Sequence, residues 1–471
     1  MNIRKTKIVA TIGPASENPR ELAGMINAGM NVARLNFSHG SHEEYIEIIS
    51  HIRSLSEKLH IPVAILQDLS GPKIRIGTFE TETVTLKKDA EFILTTEPYV
   101  GNDGRVFVNY KNLPKEIEEG SHIMLDDGKI KLRVSSVKGN DIHCTVSMGG
   151  IIRGGRGVNI PGTRLSIGCL SKKDKDDLAL GIKEKVDFVA LSFVQCADDI
   201  RSLRKILHEH KSKALVIAKI ETKEAVKNID QIIEVSDGIM IARGDLAVEI
   251  PAEEVPLIQK LIIKKSIAAG KPVITATQML DSMIHSSVPT RAEVSDVSNA
   301  ILDGTDAIML SGETAMGDHP VLTIETMSRI ATSIEESELF QEEVGRFARV
   351  TMGVADSVSL AVTTTAANIG AKAIIALSET GFTPRMISRY KPKQLIFVFT
   401  PHIETRNHAL LSFGCVPEIT QHFKELSEAT EYAKRFLSHR KNLKEGDKFV
   451  LCAGIPFGKA GNTNLLMAYT I

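Results

Sequence analysis

The chain of 471 residues has little of what secreted or membrane proteins need. Its five cysteines are odd in number, scattered and without a C-x-x-C pair, which argues for reduced thiols and against a disulfide framework or a zinc site. No run of about 18 apolar residues occurs, so no transmembrane span is expected. The start, MNIRKTKIVATIG, lacks the long apolar stretch of a signal peptide. We therefore expect a cytoplasmic protein.

An excess of charge of one sign is also absent. Lysine and arginine number 57, aspartate and glutamate 58, and the formal net charge is −1. Without a global basic field, the chain is expected to recruit neither nucleic acid nor an anionic membrane. Any anion site must therefore be built from individually placed residues.

What the sequence does contain is an alternation of short apolar runs and helix-length amphipathic stretches. Alternating strands and helices indicate βαβ units and a parallel sheet. Eight units, with polar residues where the strands end, predict a (β/α)8 TIM barrel with its active site at the carboxyl ends of the strands. An open doubly wound sheet is the alternative. The runs are KIVATIG, NVARLNFSH, VAILQDL, DFVALSFV, LVIAKIE, GIMIARGDL, PVITATQM and AIMLSGETA.

The alternation is interrupted once and resumes in a separate unit. Residues 72–160 show short alternating strands and turns, which predict a small all-β domain inserted after the third barrel strand. Its return, GGIIRGGRGVNIPG, is rich in glycine, so we expect the insert to move as a lid, with a static decoration as the alternative. The barrel is predicted to comprise residues 1–71 and 161–343, and residues 344–471 a C-terminal α/β domain.

Charged side chains stand at two neighbouring strand ends. Lys219 and Glu221 are two residues apart in VIAKIE and share a face of the fifth strand, as a structural ion pair or as part of a site. Asp245 ends the sixth strand after Gly244, which lets a ligand approach the backbone. Two carboxylates on adjacent strand ends suit Mg2+, which is held by one or two protein carboxylates and by substrate oxygens.

Other strand ends add polar groups but no nucleophile. Arg34 on the second strand can clamp a phosphate or a carboxylate. The remaining groups are Asn36 and Ser38 on the second strand, Thr277 on the seventh, and Ser311 and Glu313 on the eighth. No catalytic cysteine, Ser–His pair, P-loop or kinase-type glycine loop is present. Cations, a metal and positioning are what phosphoryl transfer requires.

Eight motifs occur in an order that is specific to one family: ATIGPAS, ARLNFSHG, GPKIR, GVNIPG, VIAKIE, ARGDL, TATQML and PTRAEVSDVSNAILDGTDAIMLSGETA. Through them the chain resembles the pyruvate kinase family over its whole length. The resemblance implies a barrel with an inserted small β-barrel lid and a C-terminal α/β domain for regulation and oligomerisation. It implies Mg2+- or Mn2+-dependent transfer of phosphate from phosphoenolpyruvate to ADP, giving pyruvate and ATP in the last step of glycolysis. A homotetramer of the bacterial type, without an extra C-terminal domain, is expected.

The matching positions imply a role for each strand-end residue. Lys219 is implied to stabilise the transferring phosphoryl group, and Glu221 and Asp245 to hold Mg2+. Thr277 is implied to act in protonating enolpyruvate, with water and the neighbourhood of Ser311 and Glu313. Substrate contacts are implied for Arg34, Lys219, Gly244, Asp245 and Thr277. Nucleotide contacts are implied for Asn36, Phe37, Ser38, His39, Arg75 and Arg156, the last standing where the family often has lysine.

One motif departs from the potassium-dependent members of the family. Their monovalent-cation site matches Asn36, Ser38, Asp68 and the Leu69 carbonyl. This chain reads DLSGPKIRIG where those members resemble DTKGPEIRTG, so Lys73 replaces a glutamate. An ammonium near Asp68 would supply the charge of a bound K+ and repel a second cation, whereas the alternative is a Lys73 directed to solvent. We expect that K+ is not required.

The C-terminal domain contains a hydroxyl-rich loop in ALSETGFTPRMISRY. Ser378, Thr380, Gly381 and Thr383 precede a helix opened by Pro384, a setting suited to phosphate. The resemblance implies an effector phosphate at this loop, from a sugar phosphate or AMP. A plain N-cap role for Thr383 is the alternative.

Two other functions fit parts of the pattern. A Mg2+-dependent barrel lyase or aldolase acting through a pyruvate enolate would share Glu221, Asp245 and the arginine clamp. It would need neither a nucleotide nor the lid with Arg75 and Arg156. A non-catalytic metabolite-binding regulator would be expected to have lost site residues, and no such loss is seen.

Overall fold

The computed structural model describes residues 4–163, 165–344, 353–440, 443–457 and 461–471. Its first elements alternate between strand and helix. They are β1 (Lys7–Ile12), α1 (Pro19–Ala28), β2 (Val32–Asn36), α2 (His42–Leu59) and β3 (Ala64–Asp68). A capping box formed by Ser41 and Glu44 fixes the start of α2. The three strands are buried along almost their whole length, as expected of parallel strands covered on both faces.

The chain then leaves the barrel and forms the predicted β insert, which also contains one short helix. Its elements are β4 (Thr83–Leu86), β5 (Glu91–Thr95), β6 (Arg105–Phe107), α3 (Leu113–Glu116), β7 (His122–Leu125), β8 (Ile130–Lys138), β9 (Asp141–Met148), β10 (Gly150–Arg153) and β11 (Val158–Asn159). Six strands form a sheet in the order β11-β7-β8-β9-β5-β6, and β10 pairs with β4. Bridges from Arg75 to Gly157 and from Ile76 to Val108 join the two edges of that sheet. The insert encloses an apolar core of its own.

The second part of the barrel supplies five more strands. The strands are β12 (Phe188–Leu191), β13 (Leu215–Ile220), β14 (Gly238–Ala242), β15 (Val273–Ala276) and β16 (Ala307–Leu310). The helices are α4 (Lys172–Lys183), α5 (Ala197–Glu209), α6 (Lys223–Lys227), α7 (Ile229–Val235), α8 (Arg243–Glu249), α9 (Val255–Ala268), α10 (Arg291–Leu302), α11 (Gly312–Ala315), α12 (Pro320–Glu335) and α13 (Glu338–Val344). The barrel closes in the order β1-β16-β15-β14-β13-β12-β3-β2. The predicted (β/α)8 barrel is confirmed, and the open sheet is excluded.

The C-terminal unit is an α/β layer structure, as predicted. Its elements are α14 (Val354–Asn368), β17 (Ala373–Leu377), α15 (Phe382–Ser388), β18 (Leu395–Thr400), α16 (Ile403–Ala409), β19 (Cys415–Ile419), α17 (Leu426–Ser438), β20 (Lys448–Ala453) and β21 (Leu465–Thr470). The sheet has the order β19-β18-β17-β20-β21, and β21 is its antiparallel member. Residues 345–352, which the predicted domain 344–471 includes, lie outside the described residues. The domain limits themselves stay predictions.

The C-terminal unit packs against the amino ends of the barrel strands. The fully buried Lys391 ammonium lies 2.6 Å from the carboxylate of Asp306, which precedes β16. Asn407 donates a hydrogen bond of 2.7 Å to Asp187, which precedes β12. The carboxyl ends of the same strands are therefore left to the insert, which leaves the barrel after β3. Among the described residues, no helix has the length and apolar character that a bilayer crossing requires.

Candidate active site

A buried ion cluster surrounds Lys219 at the carboxyl end of β13. The Nζ atom of Lys219 lies 2.8 Å from Oε1 of Glu221 and 3.2 Å from Oδ1 of Asp68, and it donates a hydrogen bond of 2.7 Å to Oγ of Ser192. Burial acts to lower the pKa of Lys219, but the charges of Asp68 and Glu221 raise it above the ordinary lysine value. The ammonium is therefore charged at neutral pH, and its three hydrogens face three acceptors.

Asp68 is the counter-ion of two cations. Its side chain is only 1% exposed, and its Oδ2 accepts a hydrogen bond of 2.7 Å from Nε of Arg34. The other end of the Arg34 guanidinium donates to Oγ1 of Thr11 at 2.8 Å. Burial acts to raise the pKa of Asp68, but the charges of Lys219 and Arg34 outweigh it and lower the pKa. Asp68 thus holds the two cations that the sequence assigned to the substrate.

Lys73 lies elsewhere than expected. Within the part of the chain that the structure describes, the cations that contact Asp68 are Arg34 and Lys219. The Lys73 side chain is exposed at the rim of the cleft, and its charge acts on Asp245, where it opposes a net rise of the pKa. The prediction that Lys73 lies near Asp68 is therefore wrong, because the strand has already ended when the chain reaches residue 73.

The other positions matched to the monovalent-cation site have partners within the protein. The Asn36 side-chain oxygen accepts the Ser38 backbone N–H at 3.3 Å. The Leu69 carbonyl accepts the Ser192 hydroxyl at 2.7 Å, and the Leu69 side chain is fully buried. Ser192 directly follows β12 and was not singled out from the sequence. Its position as the first polar residue after the fourth strand, in VALSFV, is the signal that could have identified it.

Glu221 and Asp245 form an acidic pair with the donor set of a divalent-metal site. Oε2 of Glu221 accepts the Phe193 backbone N–H at 2.7 Å, while its Oε1 faces Lys219. Asp245 lies in the first turn of α8, open to the cleft. Surrounding protein and the charge of Glu221 raise the pKa of Asp245 to about 6, against the opposing charges of Lys219 and Lys73. A divalent cation would relieve this repulsion, so the residues present fit Mg2+.

Thr277 is held in a strained conformation directly after β15. Its φ is +69°, which is rare for a β-branched residue and typical of functional positions. Its hydroxyl donates to the Ala276 carbonyl at 2.6 Å and accepts the Gly244 backbone N–H at 2.8 Å. Arg243 donates to the Thr277 carbonyl at 2.7 Å and pairs with Asp296 at 2.7 Å. Arg243 was missed from the sequence, although the ARGDL motif contains it.

Ser311 and Glu313 follow the eighth strand instead of lying on it. β16 ends at Leu310, and Glu313 belongs to α11. The Glu313 carboxylate is buried and accepts the backbone N–H groups of Ser311 at 2.7 Å and Leu280 at 3.2 Å. The carboxylate therefore connects the loops after β15 and β16. The prediction that Ser311 and Glu313 lie on the eighth strand is wrong.

A cleft of about 380 Å³ separates the barrel from the insert. Its lining includes His39, Lys73, Arg75, Arg156 and Asp245. The walls thus combine cations suited to phosphate groups with a carboxylate of the acidic pair.

The residues matched to the nucleotide site differ in their exposure. Arg75 donates to the Gly155 carbonyl at 2.8 Å, and Nε of Arg156 lies 3.4 Å from Oδ1 of Asp126. The Phe37 ring is fully buried and stacked on Tyr45, with ring centres 3.9 Å apart. Its side chain therefore cannot reach a ligand in the cleft, and the predicted contact is limited to its backbone.

Ser38 lies two residues past the end of β2, not on the strand as predicted, and it faces a second, adjoining cleft of about 500 Å³. Lys73, Arg75 and Lys173 line the same space, which makes this cleft basic as well.

The hydroxyl-rich loop of the C-terminal unit is organised differently from the expectation. Gly381, with a φ of +79°, precedes α15, and its N–H donates to the Ser378 hydroxyl at 2.9 Å. Thr383 lies inside the helix, where its hydroxyl is buried and pairs with that of Thr463 at 2.8 Å. Thr383 is therefore not the N-cap. Ser378 and Thr380 border a small cavity of about 40 Å³.

Comparisons with known proteins agree over both parts of the chain. Residues 3–324 match the family model described as pyruvate kinase, barrel domain, and residues 356–468 match that of the pyruvate kinase alpha/beta domain. The pyruvate kinase of Geobacillus stearothermophilus is 43% identical over 99% of this chain and 80% of its own length. That of Clostridium acetobutylicum is 42% identical over the full length of both. A solved pyruvate kinase structure from Cryptosporidium parvum has a TM-score of 0.94 at 35% identity, covering 99% of this chain and 96% of the other.

Proposed function

The chain belongs to the pyruvate kinase family, and we propose that the ion cluster around Lys219 carries its reaction. The enzyme is a phosphotransferase of glycolysis that converts phosphoenolpyruvate and ADP to pyruvate and ATP and depends on a divalent metal. The observation that carries the assignment is the buried ammonium, flanked by Asp68 and Glu221 and close to Asp245. A charged group in a buried site, held in place before the reaction, is what a migrating phosphoryl group requires.

Lys219 and Arg34 are assigned to the phosphoryl group of the substrate. Asp68 holds both cations, so neither has to reorganise when charge moves between the two substrates. All three Lys219 hydrogens face protein acceptors, and a phosphoryl oxygen must replace one of them. Glu221 is the acceptor we expect to turn away, because its carboxylate is also assigned to the metal.

Glu221 and Asp245 are assigned to the metal. Mg2+ or Mn2+ bound there would neutralise phosphoryl oxygens and orient the substrate. The Phe193 N–H fixes one Glu221 oxygen, while Asp245 reaches the cleft from the neighbouring strand end. Gly244, whose N–H now engages Thr277, is assigned to the substrate carboxylate.

Thr277 is assigned to the protonation of enolpyruvate. Its Oγ1 is positioned by the Gly244 N–H and its backbone by Arg243. From there the hydroxyl can pass a proton from water to the methylene carbon of the enol. The relay is not extended to Glu313, because its carboxylate accepts the backbone N–H groups of Ser311 and Leu280.

We assign two roles to the insert, namely binding of the nucleotide and exclusion of water from the site. Arg75 and Arg156 stand on its side of the cleft and His39 on the barrel side, while Ser38, which follows Asn36 and Phe37 in the chain, faces the adjoining cleft. Closure of such a lid over ADP would remove water that competes for the phosphoryl group.

We further propose that K+ is not required. Leu69 brings no hydroxyl to the matching site, and the charge of Asp68 is already balanced by two buried cations. The exposed Lys73 adds a fixed positive charge at the cleft rim. The test is to measure turnover in tetramethylammonium buffer with and without K+. A stimulation of tenfold or more by K+ would contradict the proposal.

Regulation and assembly follow the family expectation. We propose that Ser378, Thr380 and Gly381 bind an effector phosphate and that the enzyme is a homotetramer. The effector site is tested by recording substrate-saturation curves at increasing concentrations of sugar phosphates or AMP. Curves that none of these compounds changes would contradict the effector site. Light scattering at assay concentration tests the homotetramer. A cytoplasmic location stays a prediction.

The proposed function is tested by ATP formation from phosphoenolpyruvate and ADP in the presence of Mg2+. ATP and pyruvate are expected in equal amounts. A barrel lyase acting through a pyruvate enolate predicts no ATP, and the absence of ATP under these conditions would favour that alternative.

A further inference from the structure

Three metal-ligating side chains converge in the C-terminal unit, away from the active site. Glu379 follows β17, His402 follows β18 and His422 follows β19. These strands are adjacent and parallel, so their carboxyl ends meet at the edge where open α/β sheets bind ligands. We propose that Glu379, His402 and His422 form a Zn2+ site.

The distances between the ligand atoms suit a single ion. Oε2 of Glu379 lies 2.7 Å from Nε2 of His402, and Oε1 lies 3.7 Å from Nδ1 of His422. One ligand atom from each residue lies within 4.8 Å of the other two. Ligand atoms about 2 Å from one tetrahedral zinc are about 3.3 Å apart, so small side-chain rotations complete the geometry.

The two imidazole rings are also arranged as zinc requires. Their centres are 5.5 Å apart and their planes are inclined by 78°. Two imidazoles on one tetrahedral zinc would have centres about 5 Å apart. A plain Glu379–His402 ion pair would account for one contact, but it would not require His422 to bring a second nitrogen towards the same carboxylate.

The chemistry of the donors selects the metal. Two imidazoles and one carboxylate form a set that suits zinc and leaves a fourth position for water, whereas Mg2+ prefers oxygen ligands alone. His402 is 44% and His422 67% exposed, so the fourth position is accessible from solvent. The backbone that supports two of the ligands is held in place, since the Thr405 hydroxyl donates to the Glu379 carbonyl at 2.7 Å and the His402 backbone N–H donates to Oγ1 of Thr400 at 3.3 Å.

The test is calorimetric titration of Zn2+ into the full chain with excess Mg2+ to occupy the acidic pair of the barrel. His422→Gln and Glu379→Gln each remove one ligand, and the exposure of His422 makes its replacement harmless to the fold. His285→Gln is the matched control. Its ring lies 3.2 Å from the Asp318 carboxylate, and that pair belongs to no three-ligand group among the described residues.

The expected result is one Zn2+ per chain that excess Mg2+ does not displace. Either ligand variant should bind it at least tenfold more weakly, and the control should match the parent chain. Equal Zn2+ affinity in the parent and His422→Gln would overturn the proposal. Visible absorption of the Co2+-substituted chain gives a second readout: bands of a four-coordinate ion that persist in His422→Gln would also overturn it.

Discussion

Replacing Asp68 by asparagine should destabilise the barrel strongly. The carboxylate is 1% exposed and faces Arg34 at 2.7 Å and Lys219 at 3.2 Å. Removing one partner of a buried ion pair costs about 3–5 kcal/mol, because the other charge stays buried without compensation. Asparagine keeps an oxygen that accepts a hydrogen bond, and Glu221 still faces Lys219. We therefore expect the lower end, about 3 kcal/mol.

The thermal midpoint of the barrel transition measures this cost. A change of 1 kcal/mol shifts the midpoint of a domain of this size by about 2–4 °C, so Asp68→Asn should lower it by roughly 6–12 °C at one scan rate. Asp198→Asn is the control, since it breaks a pair with Arg201 in which Asp198 is 81% exposed. Exposed pairs contribute little, and the control midpoint should barely move. Equal shifts in the two variants would refute the role of Asp68 as counter-ion.

The same prediction has a pH dependence of defined sign. The pKa of Asp68 is lowered in the folded chain, although burial alone would raise it, because Lys219 and Arg34 stabilise the carboxylate. Its contribution to stability is therefore present above the unfolded carboxyl pKa of about 4 and is lost as the pH falls through the folded value. The difference between the parent and Asp68→Asn should shrink as the pH is lowered below about 4.

Substitutions at three further positions test other parts of the site. In a steady-state assay, Thr277→Ala should lower kcat by about 10²–10⁴-fold, which is the range for a lost proton-transfer group. Thr277→Ser keeps the hydroxyl and should recover much of the lost kcat. Equal rates for the two variants would contradict the role of the hydroxyl. Arg243→Met should lower kcat more than it raises the KM for phosphoenolpyruvate, since it releases the Thr277 backbone, and an effect on KM alone would speak against positioning. Burial raises the pKa of Glu249 to about 7, so the native state keeps a proton that the unfolded chain loses, and stability falls as the pH rises from about 4 to 7. The thermal midpoint of Glu249→Gln should therefore exceed that of the parent by an amount that grows over this interval and levels off above it, and a gain independent of pH would contradict the assignment.

The barrel could be predicted because its strands are covered on both faces. Each parallel strand reads as a continuous apolar run, and the first polar residues after it mark the carboxyl end. Lys219 and Glu221 lie together because Lys219 is near the end of β13 and Glu221 is the first residue after it, two positions further along. Asp245 could be placed near them because it lies three residues after the end of β14, the next strand, in the first turn of α8.

The alternation rule failed where the strands had already ended. Ser311 and Glu313 lie past β16, so the carboxylate turns to backbone N–H groups. Lys73 lies beyond Gly71 and Pro72, which turn the chain out of the barrel, and its exposed ammonium is not steered to Asp68. The cations that contact Asp68 come from other strands and reach it through long side chains. No local sequence pattern predicts which of them will do so.

Contacts between segments that are far apart in the chain could also not be predicted from the sequence. Thr383 was expected before its helix, but Thr463 engages its hydroxyl inside it. The ligands of the proposed Zn2+ site come from three separate strand ends without a spacing motif. Only the order of strands in the C-terminal sheet, which follows from tertiary packing, brings them together.

The role of Lys219 in phosphoryl transfer is tested most directly by ATP formation with Lys219→Met. Methionine keeps the length of the side chain and removes the buried charge that is proposed to act on the phosphoryl group. The control is Lys205→Met on α5, where the lysine is 80% exposed. With phosphoenolpyruvate, ADP and Mg2+, the parent and the control should form ATP at the same rate, and Lys219→Met should be slower by about 10²–10³-fold, the cost of losing one positioned electrostatic group. ATP formation by Lys219→Met at the parent rate would contradict the account.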